Sequence, residues 1–319
     1  MYLKEGDRGS AVTILQKALK MKVKTYGFYG GLTTTTVTDY QKKYKLDVDG
    51  EAGPQVLGHL NILKSCEDSL STDLSNASKS NPITVVATKG ETKGHITKSG
   101  LLVEEHFLPK GEYIRGPIKN DYGFFHHTAG WNNPGAVIDQ WGRDTRGEIA
   151  TEFVLGGQRI TDNNPDFDGV MLQAFPTGRQ GWHLGGVGSD HMRRHSVGLE
   201  MCSFGWLKDG KTYVGTKAHP EQICTLTEAF RGFTQWHKYS DAQIEGLRKW
   251  ILFIAERDNI DVHVGIIKWL KEKGPMFAFE FHQDAYMGKV KGLMTHTNVR
   301  KDKFDNFPQP ELCDMLMGI

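Results

Sequence analysis

The chain reads as an α/β protein with a central mixed sheet flanked by helices, preceded by a small all-α domain of three helices. Short apolar runs of strand character recur between residues 124 and 295, and a clear amphipathic helix stands among them. The first 63 residues instead carry three short helical patterns separated by glycine turns. Alternation of strand and helix signals is the mark of the α/β class. At 319 residues the chain suits two domains, and 38% apolar residues is ample for a buried core.

Thirty-nine Lys plus Arg against 38 Asp plus Glu leave the chain almost neutral, which argues against a nucleic-acid binder working by general phosphate neutralisation. No apolar run approaches the roughly 18 residues that span a bilayer; residues 250–255 are short and flanked by charge. Residues 1–7 hold no stretch resembling a secretory signal, so synthesis in a cytoplasm without a signal peptide is expected. Cysteines 66, 202, 224 and 313 form no CxxC pair, and reduced thiols are expected. A monomer is the expected state.

In order along the chain, Val12, Leu15 and Leu19 recur at helical spacing after a Gly6-Asp7-Arg8-Gly9 turn. The run Thr33 to Thr36 is placed to cap a second helix through Val37, Tyr40 and Tyr44. Asp49-Gly50 and Gly53-Pro54 make a turn before Val56, Leu57 and Leu60. Residues 64–93 turn to Ser, Asp, Asn, Lys and Thr and read as a linker, with Leu70 and Leu74 able to dock one helical turn and residues 83–87 able to begin the next domain as a strand. Residues 94–319 form the larger domain. Its strands are expected at 124–126, 152–155, 170–175, 196–201 and 293–295, and Ser240-Asp241-Ala242-Gln243 is a capping box before Ile244, Leu247, Ile251 and Ile254.

The small domain resembles the three-helix peptidoglycan-binding domain family. The resemblance is carried by Leu3-Lys4-Glu5-Gly6-Asp7-Arg8-Gly9, Leu15-Gln16, Tyr29-Gly30, Tyr40-Gln41, Val48-Asp49-Gly50 and Gly53-Pro54, in that order and spacing. It implies adhesion to cell-wall polymer without catalysis, with peptidoglycan as the partner.

In the larger domain no HExxH helix exists, so the commonest metallopeptidase arrangement is absent. Two histidine groups end apolar strands: His126-His127-Thr128-Ala129-Gly130, and Thr295-His296 followed by a charged loop to Asp305. Side chains alternate along a strand, so only one of His126 and His127 faces a given site. Alternation also puts Ser196, Gly198 and Glu200 on the face opposite Val197, Leu199 and Met201, which suits Glu200 to a cleft wall, a solvated sheet edge being the alternative. His191 and His195 have the spacing of a shared metal on a helix, but the segment is too short for a confident helix, and the arginines between them are alternative partners for an anion.

These groups, with residues 151–155, Trp182-His183-Leu184-Gly185 and residues 196–200, resemble the zinc-dependent N-acetylmuramoyl-L-alanine amidase family, which includes many phage endolysins and the animal peptidoglycan-recognition proteins. The resemblance spans about residues 122–310. It implies a Zn2+ site of His126, His296 and Asp305, Glu200 as general base and acid, Lys303 facing the oxyanion, and Thr128, Trp182 and His183 toward substrate. His183 is equally able to fill the groove wall, and His127 is expected to pack or orient groups behind the site. A departure concerns the second strand: where some members carry a Tyr-His-Phe pattern, this chain has Thr151-Glu152-Phe153, making Glu152 a second candidate for the acid–base role. Alternation forbids Thr151 and Glu152 from sharing the cleft. A further departure, residues 263–289, reads as an insertion that forms a lid or extends the groove. A non-catalytic wall-recognition protein and a zinc peptidase cutting the stem peptide are the rival readings.

Overall fold

The computed structural model describes residues 3–5, 7, 10–21, 27–62, 83–85, 94–114, 116, 118–145 and 147–319. Gly6, Arg8 and Gly9 of the opening turn, and Cys66, Leu70 and Leu74 of the expected linker, lie outside these. The chain divides into two compact units, Met1–Asn81 and Pro82–Ile319.

In the first unit the helices α1 (Ser10–Ala18), α2 (Gly31–Tyr44) and α3 (Pro54–His59) pack Val12, Leu15, Tyr29, Val37, Val56 and Leu57 into one core. Two buried glutamines hold the turns. Gln16 accepts from the Gly27 amide and donates to the Phe28 carbonyl, 2.7 and 2.6 Å. Gln41 accepts from the amides of Asp49 and Gly50, 3.2 and 2.9 Å, and donates to the Asp49 carboxylate. The threonine run does not cap α2 but lies inside it: the cap is Gly30, while Thr35 and Thr36 donate back to the carbonyls of Gly31 and Leu32. Hydroxyls that bond to the preceding turn are compatible with a helix interior, which is why the run continues the helix.

The second unit is built on an eight-stranded sheet. Its strands are β1 (Ile83–Val85), β2 (Gly94–Ile96), β3 (Leu102–Glu105), β4 (Tyr122–His127), β5 (Phe153–Leu155), β6 (Met171–Gln173), β7 (Ser196–Met201) and, last in the chain, β11 (Leu293–Thr295). They lie in the order β1-β2-β3-β6-β5-β7-β4-β11. Because β1 pairs with β2, this unit begins ahead of residue 94. At the functional end β5, β7, β4 and β11 run parallel, so their carboxyl ends lie together. Parallel strands are covered on both faces. Phe125, Phe153, Val197 and Leu199 pack against Leu247, Trp250, Ile251 and Ile254 of the capped helix Asp241–Arg257. On the opposite face Val154 and Leu172 meet Ile138 of helix Pro134–Trp141, and Phe124 meets Leu184 and Met192.

A smaller sheet, in the order β8-β10-β9, is formed by β8 (Trp206–Leu207), β9 (Ile223–Phe230) and β10 (Phe233–His237). Trp236 stacks on Phe307 at 4.7 Å, joining this sheet to the segment after residue 305. Cys202, Cys224 and Cys313 are buried free thiols.

Two expectations are corrected here. Residues 263–289 are not a lid: Ile266, Ile267, Leu270, Ala278 and Phe279 are buried in the main core, where helices Ile266–Lys273 and Pro275–Phe279 support β11 and the residues after it. Glu152 does not face the cleft. The chain bends just before β5, turning Thr151 onto the Gly198 surface of β7 and Glu152 away from it. Glu152 is buried in a bidentate pair with Arg257, 2.6 and 2.9 Å, with Gln173 donating to it as well.

Removing one member of a buried pair leaves the other charge uncompensated, at a cost of about 3–5 kcal/mol. Glu152→Ala should therefore lower the unfolding midpoint of the larger unit in urea while the folded fraction keeps its cleft chemistry. Unchanged stability with lost chemistry would return Glu152 to the acid–base role.

His237 gives a pH test. Its Nδ1 accepts from the Phe204 amide at 3.0 Å and its Nε2 donates to Gln222 Oε1 at 3.1 Å, an arrangement that needs the neutral ring. Burial pushes its pKa down to about 3. The unfolded chain therefore takes up the proton first as pH falls, so this contribution is full above about 6.5 and is lost downward toward about 3. Its expected slope is about 1.4 kcal/mol per pH unit. Urea midpoints measured across that range should fall less steeply for His237→Gln than for the native chain, and equal slopes would contradict the assignment.

Candidate metal centre and cleft

Two parallel strand ends and one loop bring the site together. His126 lies in register beside Glu200 on neighbouring strands β4 and β7, so both project from the same face. Thr295 ends β11 beside Phe125, and the chain turns directly into the short helix His296–Val299. The loop that follows returns Asp305, 179 residues from His126, to stand against both rings. Its Oδ2 lies 3.1 Å from His126 Nδ1 and 3.0 Å from His296 Nδ1. The ligand atoms of this trio all fall within 4.8 Å of one another, and no other such group occurs among the described residues.

The surrounding contacts fix which nitrogen each ring presents. His296 Nε2 donates to the Leu184 carbonyl at 3.1 Å, leaving Nδ1 as the lone-pair donor. His126 Nε2 lies 2.9 Å from His183 Nδ1, and His183 Nε2 lies 2.9 Å from Ser196 Oγ. A proton on each Nε2 satisfies this line of contacts and again frees His126 Nδ1 toward Asp305. Such outer contacts orient metal-ligating imidazoles. Burial pushes His126 down to about 4, keeping it neutral.

His183 lines the cleft with both ring nitrogens engaged, and it holds His126. Gly198 makes this possible: a Cβ there would fall 3.0 Å from His183 Nδ1 and 2.7 Å from Thr151 Cγ2. His127, on the other face of β4, accepts from the Asn306 amide at 3.0 Å and meets Tyr239 Oη at 2.9 Å. It therefore anchors the residue that follows Asp305.

His296 and Asp305 line a cleft of about 610 Å3, within the range of small-ligand sites. Thr128, Trp182, Glu200 and Lys303 line it, as does Thr151 in place of Glu152. Glu200 is the unsatisfied member: its Oε2 is sealed from solvent and meets no hydrogen-bond partner among the described residues. Burial, with Asp305 adding to it, pushes the Glu200 carboxyl well above its usual range. Arg193 and Arg194 both lie over the Trp182 ring, 4.9 and 5.5 Å from its centroid, and both pair with Asp190. His191 and His195 stack on each other at 4.2 Å but bond to Asp121 and the Lys119 carbonyl; they form no metal trio.

Two imidazoles and one carboxylate, with a cleft on the remaining side, form a donor set suited to zinc with an open coordination position. The orphaned Glu200 oxygen beside it suits a group that handles a proton during reaction.

Among known proteins, residues 8–60 match the family described as "Putative peptidoglycan binding domain". No curated protein matches the sequence. Among solved structures the chain is similar to PlyL, at 12% identity and a TM-score of 0.36, covering 67% of this chain and 91% of that one. A single-residue variant of PlyL gives 11% identity and a TM-score of 0.32 over 61% of this chain and 83% of that one. The N-acetylmuramyl-L-alanine amidase AmiD from E. coli, solved with an anhydromuramoyl-peptide substrate, gives 13% identity and a TM-score of 0.31 over 62% and 89%.

Proposed function

We propose that the chain is a peptidoglycan hydrolase, a zinc-dependent N-acetylmuramoyl-L-alanine amidase of the endolysin kind, whose first unit tethers it to the wall. The observation that carries the reading is the convergence of His126, His296 and Asp305 beside the unpartnered Glu200 carboxylate. The family match over residues 8–60 supports peptidoglycan as the polymer held.

His126, His296 and Asp305 would hold zinc, which supplies a Lewis acid and a water of lowered pKa. Glu200 takes the water proton on its free oxygen and passes it to the departing alanine amine, a role worth roughly 10²–10⁴-fold. Lys303, on the cleft wall, offers its ammonium to the oxyanion of the tetrahedral intermediate. Thr128 and Trp182 border the space where the muramoyl peptide lies. Tethering raises the local concentration of cleavable bonds, so the two units together exceed either alone.

Purified peptidoglycan digested with the full chain should yield free glycan strands and intact peptides beginning at L-alanine, read by mass spectrometry. Cleaved stem peptides, new reducing sugar ends or no products would reject the amidase. In the same assay a chain lacking residues 1–63 should pellet less with the wall yet keep its turnover of soluble fragments; equal pelleting disposes of the tether.

The residue roles separate in two variants. Asp305→Ala should lose both zinc and activity, whereas Glu200→Gln should retain stoichiometric zinc and lose roughly 10²–10⁴-fold in turnover. Full zinc content in the first, or near-native turnover in the second, would show the role misassigned.

A further inference from the structure

The hairpin between β9 and β10 turns on two residues, Arg231 and Gly232, both at positive φ, 49° and 87°. This mirror-image turn matches strand twist and is adopted most cheaply by Asn, Asp and Gly. An arginine at its first position carries backbone strain, and strain that persists points to a use for the side chain. The Arg231 side chain is only 8% exposed, and its guanidinium reaches the loop that joins His296 to Asp305. Nη1 donates to the carbonyls of Lys301 and Arg300, 3.1 and 3.4 Å, and to that of Lys303. Nη2 donates to the Thr297 carbonyl and the Glu280 carboxylate, each at 3.2 Å.

Residues 300–305 have no helix or strand of their own, so side-chain ties set their path. Downstream of Asp305 the tie is His127 to the Asn306 amide; upstream, four carbonyls converge on Arg231. We propose that Arg231 is a positioning residue that holds the 297–303 segment so that Asp305 and Lys303 face His126 and His296. The inference rests on reading that trio as the metal site. The planar fork of a guanidinium serves several carbonyls at once, whereas a lysine ammonium is a compact point charge with three donors. Glycine at 231 would relieve the turn while removing the fork, which separates service to the hairpin from service to the site.

The test uses full-length Arg231→Gly and Arg231→Lys. Zinc affinity is measured by competition with a chromophoric chelator, and amide hydrogen exchange of residues 297–305 is followed in the metal-free protein. Arg231→Gly should weaken zinc binding about 10–100-fold, as loss of an outer contact to a metal site does, and should speed exchange in 297–305 while leaving β9 and β10 as protected as before. Arg231→Lys should fall between it and the native chain. Native zinc affinity with slow exchange in Arg231→Gly overturns the proposal, as does a loss of protection confined to the hairpin. If the native chain itself holds no zinc, the metal reading fails, and the exchange measurement still decides whether Arg231 holds the loop.

Discussion

A single carboxylate oxygen, Asp305 Oδ2, stands about 3 Å from the Nδ1 atoms of both His126 and His296. Three polar groups gathered at the buried end of a sheet repel or strand one another unless each has an assigned partner, because unpaired polar groups in a dry interior are costly. Much of the larger unit can be understood as meeting that constraint. The parallel run of β7, β4 and β11 brings His126, Glu200 and His296 to one edge. The Leu184 carbonyl and the His183 ring take the outward nitrogens. His127 and Arg231 secure the loop on either side of Asp305.

The segment at 263–289 belongs to the same logic. Asn298 donates to the carbonyls of Ala278 and Glu280, both at 2.8 Å, and Thr297 to that of Phe279 at 2.6 Å. These bonds hold the short helix that begins with His296. An apparent addition to the fold is thus the base under one of the three site residues, and its burial follows from that duty.

Legibility in the sequence follows the range of the interaction. Period-two alternation alone puts Glu200 on the cleft face, because β7 is regular along its whole length. The capping box at Ser240 is local chemistry and is realised as such. Glu152 was not legible, since one bend before β5 reverses the faces and alternation counts only inside a strand. The role of His183, which lies outside any strand, depends on a glycine of β7, Gly198, leaving room for its ring. Arg231 had a faint signal: an Arg-Gly pair between two β-rich runs occupies a place where Asn-Gly is the economical choice. In the first unit, Gln16 and Gln41 are motif positions whose meaning appears only when each is seen closing a turn.

The most direct test of the convergence is anomalous scattering at the zinc absorption edge from crystals of the zinc-loaded protein. The account predicts one strong peak bonded to Nδ1 of His126, Nδ1 of His296 and the Asp305 carboxylate, with Glu200 near but not bonded. A peak at His191 and His195, coordination through Nε2 of His126, or no peak at the cleft would contradict it.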